Sequence, residues 1–296
     1  RDLVSVIARG GNYMLNMGPK ADGTLPKFNV EQILTVGKWI RQYPDAIYGA
    51  TASPWLQAFP WGDVTVTKNN LNLFVFDWKP GTSLYLTGIG NKIKSVAIKG
   101  TNEKLKYSFN NSVLKIELPV RTSKQLLECI RVELDGAPMV QAAMAIEPNY
   151  PTTLSAAFAT TEGSAFNKLS WMEKFGEWKH RTVINKWKLQ DGAASWEAKF
   201  LEPGYYQVEV DYHANKESDG TEFDLLINTS DTLRLYLTAT TGAKEADGDR
   251  PRFRQTKVGI IKVDTPGLRK ISMIRRNAAQ KGDIHIASIQ LSKIIF

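Results

Sequence analysis

The first 49 residues place apolar positions at helical spacing on both sides of one short apolar run. Residues 2–8 predict a first helix, because Gly10-Gly11 follows its apolar face at the place where helices commonly end. Residues 13–17 form the apolar run and predict a buried strand, since Gly18-Pro19 stops it. The apolar face of the first helix consists of Leu3, Val4, Val6 and Ile7.

A second helix is predicted to start at Asn29, which can cap it with Gln32 at the capping-box position, and to end before Pro44. Its apolar residues lie on or near one face, with Trp39 beside them. Helix, buried strand and helix together are typical of a parallel α/β fold. A parallel strand needs neighbours on both sides, so we expect residues outside this sequence to complete the sheet.

From about Trp61 the hydrophobic period changes to two, and Gly, Pro and Asn turns separate the runs. This spacing predicts an antiparallel β-sandwich over residues 50–140. Its strands are predicted at 63–67, 71–78, 83–89, 93–100, 105–111, 112–120 and 126–136.

A second β-rich segment, residues 141–296, follows a connection that carries prolines. The fold class is therefore mainly β, with two antiparallel β-sandwich domains, preceded at residues 1–49 by a helix-strand-helix piece of a parallel α/β fold. The clearest strands of the second sandwich are predicted at 194–204, 205–214, 222–230, 232–240, 255–267, 268–276 and 282–294.

Composition and charge exclude several classes of function. The formal net charge of +8 divides into +2, +4 and +2 over the three predicted segments, so no basic stripe for nucleic acid is expected. No apolar run reaches the roughly 20 residues of a membrane span. The one cysteine, Cys129, lies in an apolar strand pattern and is predicted to be a core residue.

Residues 11–48 resemble the end of the catalytic barrel in the α-L-fucosidases of glycoside hydrolase family 29. The resemblance implies that residues 1–49 are a helix-strand-helix remnant of a (β/α)8 barrel. That family has a strand similar to N-L-L-L-N-I-G-P, a D-G-x-I-P loop, a helix with a G-x-W-L core and an A-I-Y-G turn. The resemblance continues weakly through Trp61 into the first sandwich. The matching residues are Asn12, Leu15, Asn16, Gly18, Pro19, Asp22, Gly23, Pro26, Gly37, Trp39, Ala46, Ile47, Tyr48 and Gly49.

The resemblance implies retaining hydrolysis by an Asp nucleophile and a Glu acid/base about 5 Å apart. In that family both belong to earlier barrel strands, so no catalytic residue is expected here, and the chain alone should be inactive. The implied partners are fucosylated glycans and the missing N-terminal catalytic barrel, with no cofactor. The implied location is periplasmic or extracellular.

Three polar residues near the apolar run are candidates for binding substrate: Asn16, Lys20 and Asp22. In a (β/α)8 barrel the chemistry sits at the C-terminal ends of the strands, where Asn16 is predicted to lie. The alternative is loop architecture, because Asp22-Gly23 is turn chemistry and Asn16 can satisfy backbone groups.

Residues 141–296 resemble, more loosely, carbohydrate-binding-like modules of bacterial glycosidases, through the run of residues 196–210. The resemblance implies that this second sandwich is jelly-roll-like. Such modules stack sugar rings on exposed aromatic side chains. The candidates are Trp171, Trp178 and Trp187. Because Trp171, Phe175 and Trp178 have helical spacing, a short helix packed on the sandwich is the alternative. Two interpretations of this segment stay open, a carbohydrate-binding module and a purely structural domain.

Other aromatic residues are predicted to be structural. Trp196 and Tyr206 alternate with charged residues and are expected in the core, whereas Trp55, Phe59 and Trp61 are expected to cover the seam between barrel and sandwich.

No metal site is predicted. Asp247 and Asp249 resemble part of a calcium loop but lack its other acidic positions, and His213 has no other histidine near it in sequence.

Overall fold

The chain folds into two units, Arg1–Ala143 and Met144–Phe296, in a computed structural model. The structure describes residues 1–55, 57–101, 103–120, 127–172, 178–189, 191–227, 231–240, 252–276 and 282–295, with the backbone alone at Trp178 and Asp231. The three-segment division into 1–49, 50–140 and 141–296 stays a prediction.

Three helices open the first unit: α1 at Asp2–Ala8, α2 at Lys27–Ile40 and α3 at Pro44–Ile47. The first helix is confirmed. The predicted cap of the second helix is wrong, because α2 starts at Lys27 with Pro26 as its N-terminal cap, which places Asn29 inside the first turn. Proline suits this position, since it lacks the N–H that a helix start leaves without an intrahelical acceptor.

No strand forms at residues 13–17, contrary to the sequence-based prediction. Tyr13, Met14 and Leu15 are exposed there, Met14 to 90%. A strand of a parallel sheet is held by hydrogen bonds to its neighbours. Within the described residues no neighbouring strand pairs with this run.

The first sandwich is confirmed as two antiparallel sheets, with strand orders β1-β2-β7-β4 and β3-β6-β5 among the described residues. Strand β6 buries alternate residues, as the period of two predicted, whereas β1, β2 and β3 are buried at most of their positions. The strands are β1 Gly62–Thr67, β2 Asn70–Val75, β3 Ser83–Thr87, β4 Ile93–Ile98, β5 Tyr107–Asn110, β6 Val113–Glu117 and β7 Glu128–Leu134.

Strand β2 is buried on both faces. Leu73 opposes Ile130 of β7, while the next residue, Phe74, opposes Cys129. Phe74 and Cys129 belong to a buried cluster with residues of the helices, so the helical segment covers this side of the sheet. The predicted core position of Cys129 is confirmed, and burial raises the pKa of its thiol.

The second unit is also a pair of sheets, with orders β10-β13-β18-β15-β16 and β11-β12-β19-β14-β17. From β13 onward successive strands change sheet, as in jelly rolls, except that β15 and β16 lie side by side in the same sheet. Among the described strands, the pairing of β8 with β13 is the one parallel pair. The strands are β8 Met144–Ile146, β9 Thr152–Ser155, β10 Thr160–Glu162, β11 Ala165–Met172, β12 Trp178–Asn185, β13 Ala193–Phe200, β14 Gly204–Ala214, β15 Glu222–Ile227, β16 Asp231–Tyr236, β17 Arg254–Val263, β18 Gly267–Arg275 and β19 Ile284–Lys293.

The aromatic residues predicted to be structural are buried or partly buried. Trp196 and Tyr206 lie in the core of the second unit, as predicted. In the first unit Trp55 donates its indole N–H to the carbonyl of Thr87 at 2.9 Å. Phe59 stacks on Trp61 with 4.7 Å between ring centroids.

The turn at Gly88 generates a testable prediction. Gly88 has a φ of +80°, and a Cβ there would lie 1.8 Å from the carbonyl oxygen of Gln141. Gly49 has a φ of +69°, and a Cβ there would meet no heavy atom within 4 Å. The variant Gly49→Ala therefore tests backbone strain alone. We expect Gly49→Ala to cost about 1 kcal/mol of unfolding free energy and Gly88→Ala about 3 kcal/mol, because a clash is added to the strain.

Chemical denaturation of the two variants and the parent chain, following the transition of the first unit, measures this difference. If both variants lose the same unfolding free energy, the backbone near Gly88 relaxes freely and the turn is not tightly packed.

Candidate functional site

The loop that follows α1 brings two of the predicted site residues into one turn. The amide of Lys20 donates to the carbonyl of Thr24 at 2.8 Å, and the amide of Gly23 donates to the carbonyl of Lys20 at 2.9 Å. The Oδ1 atom of Asp22 accepts from the Thr24 amide at 2.9 Å and from its hydroxyl at 2.7 Å. These hydrogen bonds agree with the interpretation of Asp22 as a turn residue. The part of Asp22 in substrate binding stays a prediction.

Hydrogen bonding favours the ionised form of Asp22. The bonds from the side chain and then the backbone of Thr24 hold the pKa of its carboxyl below its usual range, although the side chain is exposed. Lys20 and Asn16 are exposed as well. This loop can therefore present a carboxylate, an ammonium group and an amide to a polar molecule.

Helix α2 is amphipathic, with Lys27, Glu31, Thr35 and Lys38 on one side and mostly apolar residues on the other. Trp39 is the buried residue of the helix. The α2 apolar surface is defined here by five residues that are 36% to 67% exposed. They are Phe28, Val30, Ile33, Leu34 and Val36. Exposed apolar residues grouped on one helix are typical of surfaces that contact other protein.

Trp171 and Trp178 lie on a β-hairpin, so the predicted helical turn is wrong. Strands β11 and β12 pair in antiparallel register, with Trp171 opposite Lys179 and Met172 opposite Trp178. Trp171 is partly exposed. Phe175, the third member of the predicted stripe, lies outside the described residues.

Trp187 is a core residue, 6% exposed, so its ring offers no open face to a sugar. The indole N–H donates to the carbonyl of Ile184 at 3.1 Å, and the ring meets Phe223 edge-on at 4.9 Å. It borders a cavity of about 400 Å³ together with Arg275 and Asp283. Burial lowers the pKa of the Arg275 guanidinium, whose Nη1 donates to the Trp187 carbonyl at 3.1 Å.

Sequence reasoning missed that His213 and His285 lie side by side. They oppose each other on β14 and β19, with 5.6 Å between ring centroids. The described residues hold no group of three His, Cys, Asp or Glu side chains suited to a metal ion. Asp247 and Asp249 lie outside the described residues.

Comparison with known proteins shows which family the N-terminal segment resembles. Residues 1–45 match the family model for alpha-L-fucosidase. The alpha-L-fucosidase of Dictyostelium discoideum is 30% identical over 128 residues, which are 42% of this chain and 26% of that protein. The chain is related to the α-L-fucosidases. The tissue alpha-L-fucosidase of Bos taurus is 32% identical over 114 residues, 38% of this chain and 24% of the relative.

This fucosidase-related chain spans about a quarter of the length of the curated relatives it matches. Its fold is similar to a crystal structure of the alpha-L-fucosidase from Vibrio sp. strain EJY3, with a TM-score of 0.63 at 15% identity. That similarity covers 98% of this chain and 49% of the other, and it shows the fold alone. In the part of the chain that the structure describes, no helix has the length and hydropathy to cross a membrane.

The turn at Asp22 generates a prediction about pH. The pKa of Asp22 is lowered chiefly by the hydroxyl of Thr24, so Thr24→Val should raise it toward the usual value of about 3.9. The sign follows because the hydroxyl stabilises the carboxylate form and its removal favours the proton. A titration of the aspartate side-chain carbonyl by carbon-detected NMR measures the change, and Thr35→Val, on the exposed side of α2, is the control. An unchanged Asp22 midpoint would contradict the described turn.

Proposed function

We propose that these residues form the C-terminal portion of an α-L-fucosidase, which removes terminal α-L-fucose from glycans with retention of configuration. The observation that carries the proposal is the family match of residues 1–45, supported by the curated relatives. The apolar surface of α2 agrees with it, because the last helix of a catalytic barrel would pack against the other elements of that barrel.

In a retaining glycosidase one carboxylate attacks the anomeric carbon, and a carboxylic acid protonates the leaving oxygen. We place both groups on barrel strands outside this chain. Asn16, Lys20 and Asp22 then belong to a loop at the rim of the barrel, where they would contact the sugar or its neighbour. No step of the reaction is assigned to a residue of this chain.

The first sandwich would act as a support. Ion pairs as well as apolar contacts hold the helical segment on its sheet. Arg9 of the helical segment binds Asp63 at 2.7 Å, and Asp45 of the same segment binds Lys99 at 2.7 Å. Asp63 and Lys99 are buried, so these pairs are less screened than surface ion pairs.

A second role concerns the second unit, which we propose as a glycan-binding module. The partly exposed Trp171 on the β11–β12 hairpin supports this role, because sugar rings stack on accessible indoles. Trp187, being buried, is not retained as a platform. Such a module acts on glycans outside the cytoplasm, so we propose a periplasmic or extracellular location.

Hydrolysis of an aryl α-L-fucoside tests the proposed activity. The chain alone should be silent, and a longer protein that joins it to its catalytic barrel should release fucose. In that longer protein Leu34→Asp should lower activity at least tenfold, because a charge would be buried against the barrel. Lys216→Glu, an exposed position of the second unit, should leave activity unchanged.

Activity of the chain alone would contradict the placement of the carboxylates. A silent longer protein of native fold would contradict the fucosidase assignment, and full activity of the Leu34→Asp variant would contradict the packing of α2.

Calorimetric titration of the chain with fucosylated oligosaccharides tests the glycan-binding role. We expect a dissociation constant of about 1 mM or lower, near −4 kcal/mol, and a loss of at least tenfold in Trp171→Ala. Trp187→Phe is the matched control, because its buried ring should not touch the ligand. Absence of heat, or binding that Trp171→Ala and Trp178→Ala leave intact, would favour a structural domain.

A further inference from the structure

The cavity that Trp187 borders lies at one end of the second sandwich, where connections join strands of both sheets. Its volume is about 400 Å³, within the usual range for a pocket that holds a small molecule. Residues that follow β12, β14 and precede β19 line it, together with the last residue of β18. Among the described lining residues, four besides Trp187 carry polar side chains: Lys186, Asn215, Arg275 and Asp283.

Arg275 is a buried cation that the connection after β12 holds in place. Its Nη1 atom donates to the carbonyl of Trp187 at 3.1 Å, and its backbone amide donates to the carbonyl of Gly192 at 2.9 Å. The residue is 4% exposed, and burial lowers the pKa of its guanidinium. Because desolvation works against a positive charge, an anion that enters the cavity would stabilise this group.

Asn215 is oriented so that its side chain offers a hydrogen-bond donor to the cavity. Its Oδ1 atom accepts from the hydroxyl of Ser218 at 2.6 Å and from the backbone amide of Asp283 at 3.0 Å. A backbone amide only donates, so the atom that accepts from it is the side-chain oxygen. The NH₂ group of Asn215 is therefore what remains for a ligand.

Asp283 supplies a hydrogen-bond acceptor, and Lys186 supplies a second cation. Oδ1 of Asp283 lies 3.0 Å from Nε2 of His285, while the Asp283 side chain is 58% exposed. A carboxylate accepts through two oxygens, so Asp283 can accept from a hydroxyl while it keeps His285. Lys186 is exposed and carries an ammonium group. The described lining therefore has two positive charges and one negative charge, which favours an anion.

A sugar that carries a carboxylate fits this set of groups better than a small inorganic anion does. The carboxylate of the sugar can bind Arg275 and Lys186, since hydrogen bonds between ionised partners are the strong ones. Its hydroxyls both donate and accept, so they can bind the carboxylate of Asp283 and the NH₂ group of Asn215. An inorganic anion would fill little of the cavity and would leave its charge beside that of Asp283 with no hydroxyl between them.

We propose that this cavity binds an acidic sugar unit of a glycan, with Arg275 and Lys186 on its carboxylate and with Asn215 and Asp283 on its hydroxyls. The choice of a sugar as ligand rests on the proposed glycan-binding role of the second unit, whereas the preference for an acid rests on the cavity.

The cavity is separate from the indole of Trp171. Trp171 opposes Lys179 of β12, and the cavity begins directly after Asn185, the last residue of that strand. The strand from Lys179 to Asn185 spans roughly 20 Å at about 3.3 Å per residue. Substitutions at the cavity and at Trp171 therefore report on two different places.

NMR titration of the complete chain tests the preference for an acid. The probes are the methyl glycosides of glucuronate and galacturonate and the uncharged methyl ester of each. We expect one of the two acids to bind about tenfold more tightly than its own ester, because the ester loses the ionised hydrogen bonds. Added salt should weaken binding of the acid more than binding of the ester.

A pair of lysine variants tests the place of binding. Lys186→Gln should weaken binding of the acid about threefold, since an exposed ion pair contributes little. Lys188→Gln is the matched control, because Lys188 is exposed on the same connection and does not line the cavity, so the affinity should stay unchanged. Arg275→Gln should abolish the difference between acid and ester. If that buried variant does not fold, the lysine pair decides the question.

Equal affinity for acid and ester, or no binding of either acid, would overturn the proposal. Binding of the acid that Trp171→Ala weakens and Lys186→Gln leaves intact would also overturn it, because the ligand would then lie on the hairpin. Failure of the cavity is distinguishable from failure of the glycan-binding role. If fucosylated oligosaccharides bind through Trp171 while the acids do not bind, the cavity proposal fails and that role stands.

Discussion

The buried cluster around Trp39 is the interaction on which the first unit depends. Trp39 donates its indole N–H to the carbonyl of Leu127 at 3.0 Å and packs against Tyr43 and Phe74 at 5.6 and 5.9 Å between ring centroids. Removing a buried Trp side chain typically costs about 3–5 kcal/mol. This cluster attaches the fucosidase-related helices to the sandwich, because Phe74 comes from β2.

The same attachment leaves most of α2 uncovered. The C-terminal part of the helix reaches the sheet through Trp39, while Phe28 and Leu34 are exposed. The apolar side of an amphipathic helix normally faces a core, so the packing of the chain and the pattern of α2, whose apolar side stays largely exposed, disagree. The disagreement is resolved if a catalytic barrel covers the α2 apolar surface, and the loop with Lys20 and Asp22 then lies where that barrel carries its chemistry.

Much of this fold follows from local patterns. The strands of both sandwiches were predictable because residues such as Leu71 and Leu73 alternate with polar ones, and α1 because glycines end its apolar face. The run at residues 13–17 was read as a strand, but a strand needs partners that the described chain does not supply. The capping pattern at Asn29 predicts the wrong start for α2. The helix begins at Lys27, directly after Pro26.

Other features depend on contacts that no local pattern contains. Trp171 and Trp178 have helical spacing in the sequence, but they lie on β11 and β12, two strands that pair with each other. His213 and His285 meet because of the register of β14 and β19, which shifts between Asp211 and Tyr212. Trp187 packs edge-on against Phe223 of β15, a residue distant from it in the sequence. Of the candidate site, the turn chemistry of Asp22 was readable from the sequence, since Asp-Gly is a local signal.

Hydroxyl-radical footprinting of side chains in this chain, and in a longer protein that contains it behind a catalytic barrel, tests the central claim most directly. The account predicts that Phe28 and Leu34 are labelled strongly in the chain and protected in the longer protein, while Trp39 is protected in both. Equal labelling of Phe28 and Leu34 in the two proteins would contradict the claim that α2 is held on the sandwich by one side and covered by the barrel on the others.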